Sequence, residues 1–130
     1  MTRSWNPASP AGAGLDIPYS PAAVSDGLVH VAGVISSDAS GEIIADDFTS
    51  QARRTFGNLV TTLEAAGCSA ADVVHVTTYL TDRNDFDAFN EVFKETFSDP
   101  FPARVTILAK LRSRELDRFT LPGHRVARSW

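Results

Sequence analysis

The stretch FPARVTILAKL, residues 101–111, carries two different rows of side chains. Every second position from Ala103 gives Ala103, Val105, Ile107, Ala109 and Leu111, an apolar row. The positions between give Arg104, Thr106, Leu108 and Lys110. A period of two marks a β-strand with one face on a core, so the apolar row is expected to face inward. Arg104 then opens the other face, either as a solvated charge or as a group that grips something. A second stretch, DVVHVTTYL at residues 72–80, is apolar on both faces near its centre and is expected inside a sheet. Between the two, Phe86, Phe89, Phe93 and Phe97 fall on one face of a helix. Asn84 is expected as its cap, Asp87 in its first turn and Pro100 as its stop.

Outward from this unit, residues 28–36 (LVHVAGVIS) form a β-branched run after the turn signal at residues 25–27. Residues 17–24 are extended but carry Pro18 and Pro21, which suits an edge. Residues 36–43 are rich in turn formers and lead to a short extended piece. Phe48, Ala52, Phe56, Leu59, Leu63 and Ala66 recur at helical spacing, with Asp46 and Asp47 to cap the start and Gly67 past the last turn. A last extended segment runs from Arg118 towards Ala127, interrupted at Pro122 and Gly123. Residues 1–14, rich in Pro, Ala, Gly and Ser, read as a flexible arm ahead of one domain at residues 15–130. The fold class is an α+β two-layer sandwich, a mixed sheet of about six strands with two helices on one face. The other sheet face has no helix of its own, and such a face usually meets another chain.

The 130 residues fit one domain able to hold its own core. No apolar run reaches the roughly 20 residues a membrane span needs, and the N-terminus lacks the apolar stretch of a secretory signal. The single Cys68 suits a reducing cytoplasm, which is the expected location. The formal net charge of −4 argues against nucleic-acid binding. It is unevenly spread: residues 103–130 hold seven Lys and Arg against Glu115 and Asp117. That basic end either packs near acidic helices or binds a small anion.

Three ordered segments, at residues 18–36, 51–93 and 101–111, resemble the Rid family, the reactive intermediate deaminases also known as YjgF proteins. The ordered marks are Pro-Tyr-Ser, a glycine-bearing strand, a helix ending Leu-Glu-Ala-Ala-Gly, an Asp-Val-Val strand, Asp-Phe…Asn and Pro-Ala-Arg. The resemblance implies a chorismate-mutase-like fold of the bacillus type. It implies a homotrimer with ligand clefts between subunits, hydrolysis of enamines or imines such as 2-aminoacrylate, and no metal or organic cofactor. It gives Arg104 the role of binding the substrate carboxylate, which a planar guanidinium does with two parallel hydrogen bonds. Tyr19 matches a cleft tyrosine, although it also reads as a packed edge residue. Gly33 matches a glycine beside the ligand, although a bulge needs glycine equally. Phe89 and Asn90 match the helix segment near the cleft. Thr106 shares the face of Arg104, within reach of a ligand.

Two departures stand out. The resemblance expects a water-activating glutamate in the last strand, where this chain has Phe119 or Thr120. Ala32-Gly33-Val34 replaces the more polar Ser-Gly-Gln. Both changes make the pocket more apolar and favour a larger or more apolar ligand. His124 follows Pro122-Gly123 and could enter the cleft as acid or base. His30 and His75 read as sheet histidines, and the three histidines fit no zinc spacing. Rival readings are a specialised cyclisation, condensation or hydrolysis enzyme on the same scaffold, and a non-catalytic binder of small carboxylates.

Overall fold

The computed structural model describes residues 18–40, 42–43 and 47–110, together with the backbone of residues 119–120 and 124–127. The expected arm at residues 1–14 lies outside the described residues. The chain runs β1 (Ala22–Ser25), β2 (Leu28–Val31), α1 (Phe48–Ala65), β3 (Val73–Leu80), α2 (Phe86–Thr96), β4 (Ala103–Leu108), β5 (Phe119–Thr120) and β6 (His124–Ala127). The sheet order is β1-β2-β6-β3-β4, with β5 also on β3. β3 and β4 are parallel and joined through α2, while β1, β2, β6 and β3 pair antiparallel. The last extended segment is thus two pieces on one neighbour, β5 along the end of β3 and β6 along its start.

Local chemistry sets the helix ends. Asp47 caps α1: its carboxylate accepts the backbone N–H of Ser50 at 3.2 Å and the Ser50 hydroxyl at 2.7 Å. These bonds, the hydroxyl first, hold the Asp47 carboxyl below its ordinary pKa. At the other end Gly67 has φ 80°. Its N–H donates to the Glu64 carbonyl, and the Cys68 N–H reaches back to Leu63 at 2.8 Å. That paired closure is the Schellman arrangement, which Leu-Glu-Ala-Ala-Gly encodes. α2 begins differently from expectation. Asn84 is not its cap. Asp82 accepts the Asn84 N–H at 2.9 Å and winds a short helical turn at Arg83–Asp85, and α2 starts at Phe86 after Asp85. An aspartate two residues upstream captured the amide first.

The core lies between the helices and one sheet face. Phe56, Leu59 and Leu63 of α1 meet Phe89, Val92 and Phe93 of α2 above Val29, Val76 and Leu80. Phe56 stacks on Phe89 at 6.0 Å and meets Phe93 and Phe97 edge-on, geometry that ring quadrupoles favour. Arg53 clasps Glu95 through Nε and Nη2 at 3.0 and 2.9 Å, an exposed link between the two helices.

Two expectations are corrected here. The run at residues 28–36 is not one strand: β2 stops at Val31. The carbonyls of Ile35 and Ser37 instead accept from the Asn58 amide, and Ser37 also from Arg54 Nε. Side chains of α1 thus take backbone groups that a strand neighbour would otherwise satisfy. The second correction concerns β4. Its register with β3 pairs Arg104 with Val76, Thr106 with Thr78 and Leu108 with Leu80. Val76, Thr78 and Leu80 are fully buried beneath the helices. Arg104, Thr106 and Leu108 therefore lie on the helix-covered face. The apolar row Ala103, Val105 and Ile107 faces the open side, where Val105 is 44% and Ile107 38% exposed. Leu28 and His30 are exposed on that side of β2 too.

Candidate functional site

Arg104 sits on β4 at the sheet edge and extends over α2. Its guanidinium carbon is 4.8 Å from the Phe93 ring centroid, 5.2 Å from Phe89 and 5.6 Å from Phe86. The spacing of those phenylalanines along α2 puts three rings under one cation. Each contact of this kind contributes about 0.5–2 kcal/mol depending on exposure, and together they restrict where the planar head can turn. Nη2 donates to the Asn90 side-chain oxygen. Burial against the rings lowers the Arg104 pKa from its ordinary value. An arginine keeps its charge through such a shift. The remaining N–H groups have no partner among the described residues and can meet an anion in a bidentate fork.

Arg104 opens onto a groove of about 510 Å³. Asp87, Asn90, Glu91 and Lys94 line it from α2, with Lys94 donating to Glu91 at 3.3 Å. Phe93, Phe101 and Pro102 line it as well. Apart from Asn90, none of these was expected from the sequence as a site residue; Asp87 and Phe93 were read only as parts of the helix. The signal was present in Phe101, directly before Pro-Ala-Arg, and in the solvent-side positions of α2 flanking the phenylalanine stripe. Among the described residues, no group of three or more His, Cys, Asp or Glu is gathered as a metal site. No described helix is long and apolar enough to cross a membrane.

The other expected site residues fall in two places. Phe89 is buried under the guanidinium, Asn90 is its hydrogen-bond partner, and Thr106 is half-buried on the same face two residues along. Thr78, the register partner of Thr106, is fully buried with its hydroxyl unpaired among the described residues. Tyr19, exposed, precedes β1, while Gly33, exposed, and Val34, buried, follow β2. β1 and β2 lie beyond β6 and β3 from β4. At about 4.8 Å per strand spacing, β2 is roughly 14 Å from β4. Phe119 and Thr120 pair through their backbone with Leu80 and Tyr79, and His124 with Val31. Their side chains lie outside the described residues. His30 and His75 occupy the open sheet face, away from Arg104; both pair with Arg125 in the backbone register.

Comparisons with known proteins identify the family and the fold. The family model for Endoribonuclease L-PSP matches residues 13–116. The chain is 44% identical over 91 residues to a RutC family protein of Pyrococcus horikoshii, covering 69% of this chain and 72% of that one. It is 34% identical over 111 residues to the human 2-iminobutanoate/2-iminopropanoate deaminase, covering 82% and 81%. Among solved structures, RidA from an Antarctic Psychrobacter superposes with a TM-score of 0.80 at 30% identity, covering 95% of this chain and 96% of that one. A Rid family protein of Yersinia pestis has the same fold, with a TM-score of 0.86 at 22% identity over 97% of this chain and 99% of that one.

Proposed function

This chain belongs to the Endoribonuclease L-PSP family, the Rid or YjgF proteins, and from that premise we propose that it hydrolyses a small enamine or imine bearing a carboxylate. The observation that carries the proposal is the Arg104 guanidinium, bedded on three aromatic rings and opening onto a groove. Arg104 holds the substrate carboxylate. An enamine such as 2-aminoacrylate takes a proton on carbon to become the imine. Water then adds its oxygen to the C=N carbon, a proton moves to nitrogen, and the C–N bond breaks. Ammonia leaves with the electron pair of that bond, and the 2-oxo acid remains. No electrons are gained or lost, so the step requires no redox partner.

The sheet order supports a cleft shared between subunits. Tyr19 and Gly33 are separated from Arg104 by intervening strands, so in one chain they do not line its groove. A neighbouring copy can bring them opposite Arg104, and the open apolar face carrying Leu28, Val105 and Ile107 gives such copies a surface to share. A homotrimer is the assembly this reading adopts. Thr106 then orients substrate or water beside Arg104.

The catalysis of water addition is where a second reading enters. Phe119 or Thr120 takes the position where the family resemblance expects an acid. General-base help of about 10²–10⁴-fold has to come from elsewhere or is missing. The second reading is a specialised enzyme that keeps the anion grip and performs a different reaction. One experiment separates them: ammonia release from enzymatically generated 2-aminoacrylate, with Arg104→Ala and Phe119→Glu variants. The hydrolase reading expects release above background that Arg104→Ala abolishes. A silent parent chain that becomes active as Phe119→Glu supports the second reading.

A further inference from the structure

The groove beside Arg104 is larger and more aromatic than a three-carbon acid requires. Its volume of about 510 Å³ lies in the range of pockets that enclose ligands of drug size. Phe101 stands 49% exposed in its lining, with its ring 6.2 Å from that of buried Phe93 and tilted by 40°. Pro102 continues the apolar lining towards Arg104. An aromatic side chain left half in water next to an anion-gripping group is an unfilled contact surface. The charged lining leans the other way from Arg104. Asp87 and Glu91 bring two carboxylates, and Lys94 is engaged with Glu91. A second negative charge on the ligand would meet that acidic side and be repelled.

We propose that the groove selects imino acids whose side chain is large, uncharged and apolar, an aromatic ring above all, and that Phe101 is the residue determining this preference. The carboxylate sits on Arg104 and the side chain lies against Phe101 and Pro102. This deepens the hydrolase reading and rests on it for the reaction, though not for the binding.

Calorimetric titration of the full chain with three 2-oxo acids tests the binding. Phenylpyruvate is expected to bind about tenfold or more tightly than pyruvate, the increment a buried phenyl group brings. Oxaloacetate, with its second carboxylate, is expected to bind no tighter than pyruvate. Phe101→Ala should erase most of the phenylpyruvate preference, while Phe101→Trp retains it. Phe101→Leu, which keeps bulk without the ring, gives a smaller drop should the alanine variant lose its fold. Equal affinities, tightest binding of oxaloacetate, no binding of any of the three, or an unchanged ratio in the Phe101 variants would overturn the proposal. Turnover is read separately, with imines made in situ from alanine and phenylalanine by an amino-acid oxidase. Acceleration of neither imine, beside a retained binding preference, overturns the hydrolase reading alone. Equal turnover of both with no binding preference overturns the groove assignment alone.

Discussion

β3 and β4 are parallel neighbours with much the same alternation, yet β3 is covered and β4 is bare. Val76, Thr78 and Leu80 of β3 are sealed beneath the helices, whereas their partners Arg104, Thr106 and Leu108 remain partly in water, Leu108 at 48% exposure. β3 has a strand on each side and both helices nearby. β4 closes the sheet, with α2 reaching over only its first residues. The lesson is that alternation reveals which residues share a face and leaves open which face is covered. In β4 that distinction decides the chemistry, because the incompletely covered helix side is where Arg104 meets its rings.

Substitutions along this pair of strands sharpen the contrast or break it. The largest effect is expected on assembly. Val105→Asp puts an unpaired charge on the open face, costing about 3–5 kcal/mol if another copy buries that face. Sedimentation should then show single chains, and an unchanged assembly would remove this face from the contact. Next comes Leu80→Ala, expected to cost about 2–5 kcal/mol in chemical denaturation, as buried leucines do. Its partner change, Leu108→Ala, should stay within about 0.5 kcal/mol as a surface substitution. Similar losses for both would mean that β4 is as buried as β3. Arg104→Lys keeps charge and loses the fork. We expect kcat/KM on the imine to fall about 10–100-fold, in line with hydrogen bonds to charged groups. A small gain is expected from Thr78→Val, which removes a buried hydroxyl with no partner among the described residues. It should raise stability by about 1 kcal/mol, while Thr106→Val, one strand over, leaves stability alone and lowers turnover.

What was legible in the sequence follows the range of the forces involved. Helix α1 was readable at both ends, because Asp47 and Gly67 act on amides and carbonyls within a few residues. The Phe89–Phe93–Phe97 stripe was readable because helical spacing alone puts those side chains on one side. The orientation of β4 was not readable. An arginine looks like a marker of the open face, but its planar guanidinium can stack on aromatic rings on the covered side, as Arg104 does over Phe86, Phe89 and Phe93. The end of β2 was hidden too, since Asn58 and Arg54, some twenty residues further on, settle where residues 35–37 spend their carbonyls. Among the expected site residues, Arg104, Phe89 and Asn90 were named through the family resemblance, and the structure brings them together because α2 leads directly into β4. Phe101 and Lys94 emerged only once the groove gave them a common surface.

The guanidinium, its amide partner and all three rings beneath it come from the uninterrupted segment between Val73 and Leu108. Recombination exchanges contiguous pieces of a gene, so this segment can be inherited whole. In the shared cleft proposed above, a chimera that keeps this segment and swaps the first hairpin would change the opposite wall while leaving the Arg104 cluster intact, which makes the strand–helix–strand cassette the natural unit for diversifying such a scaffold.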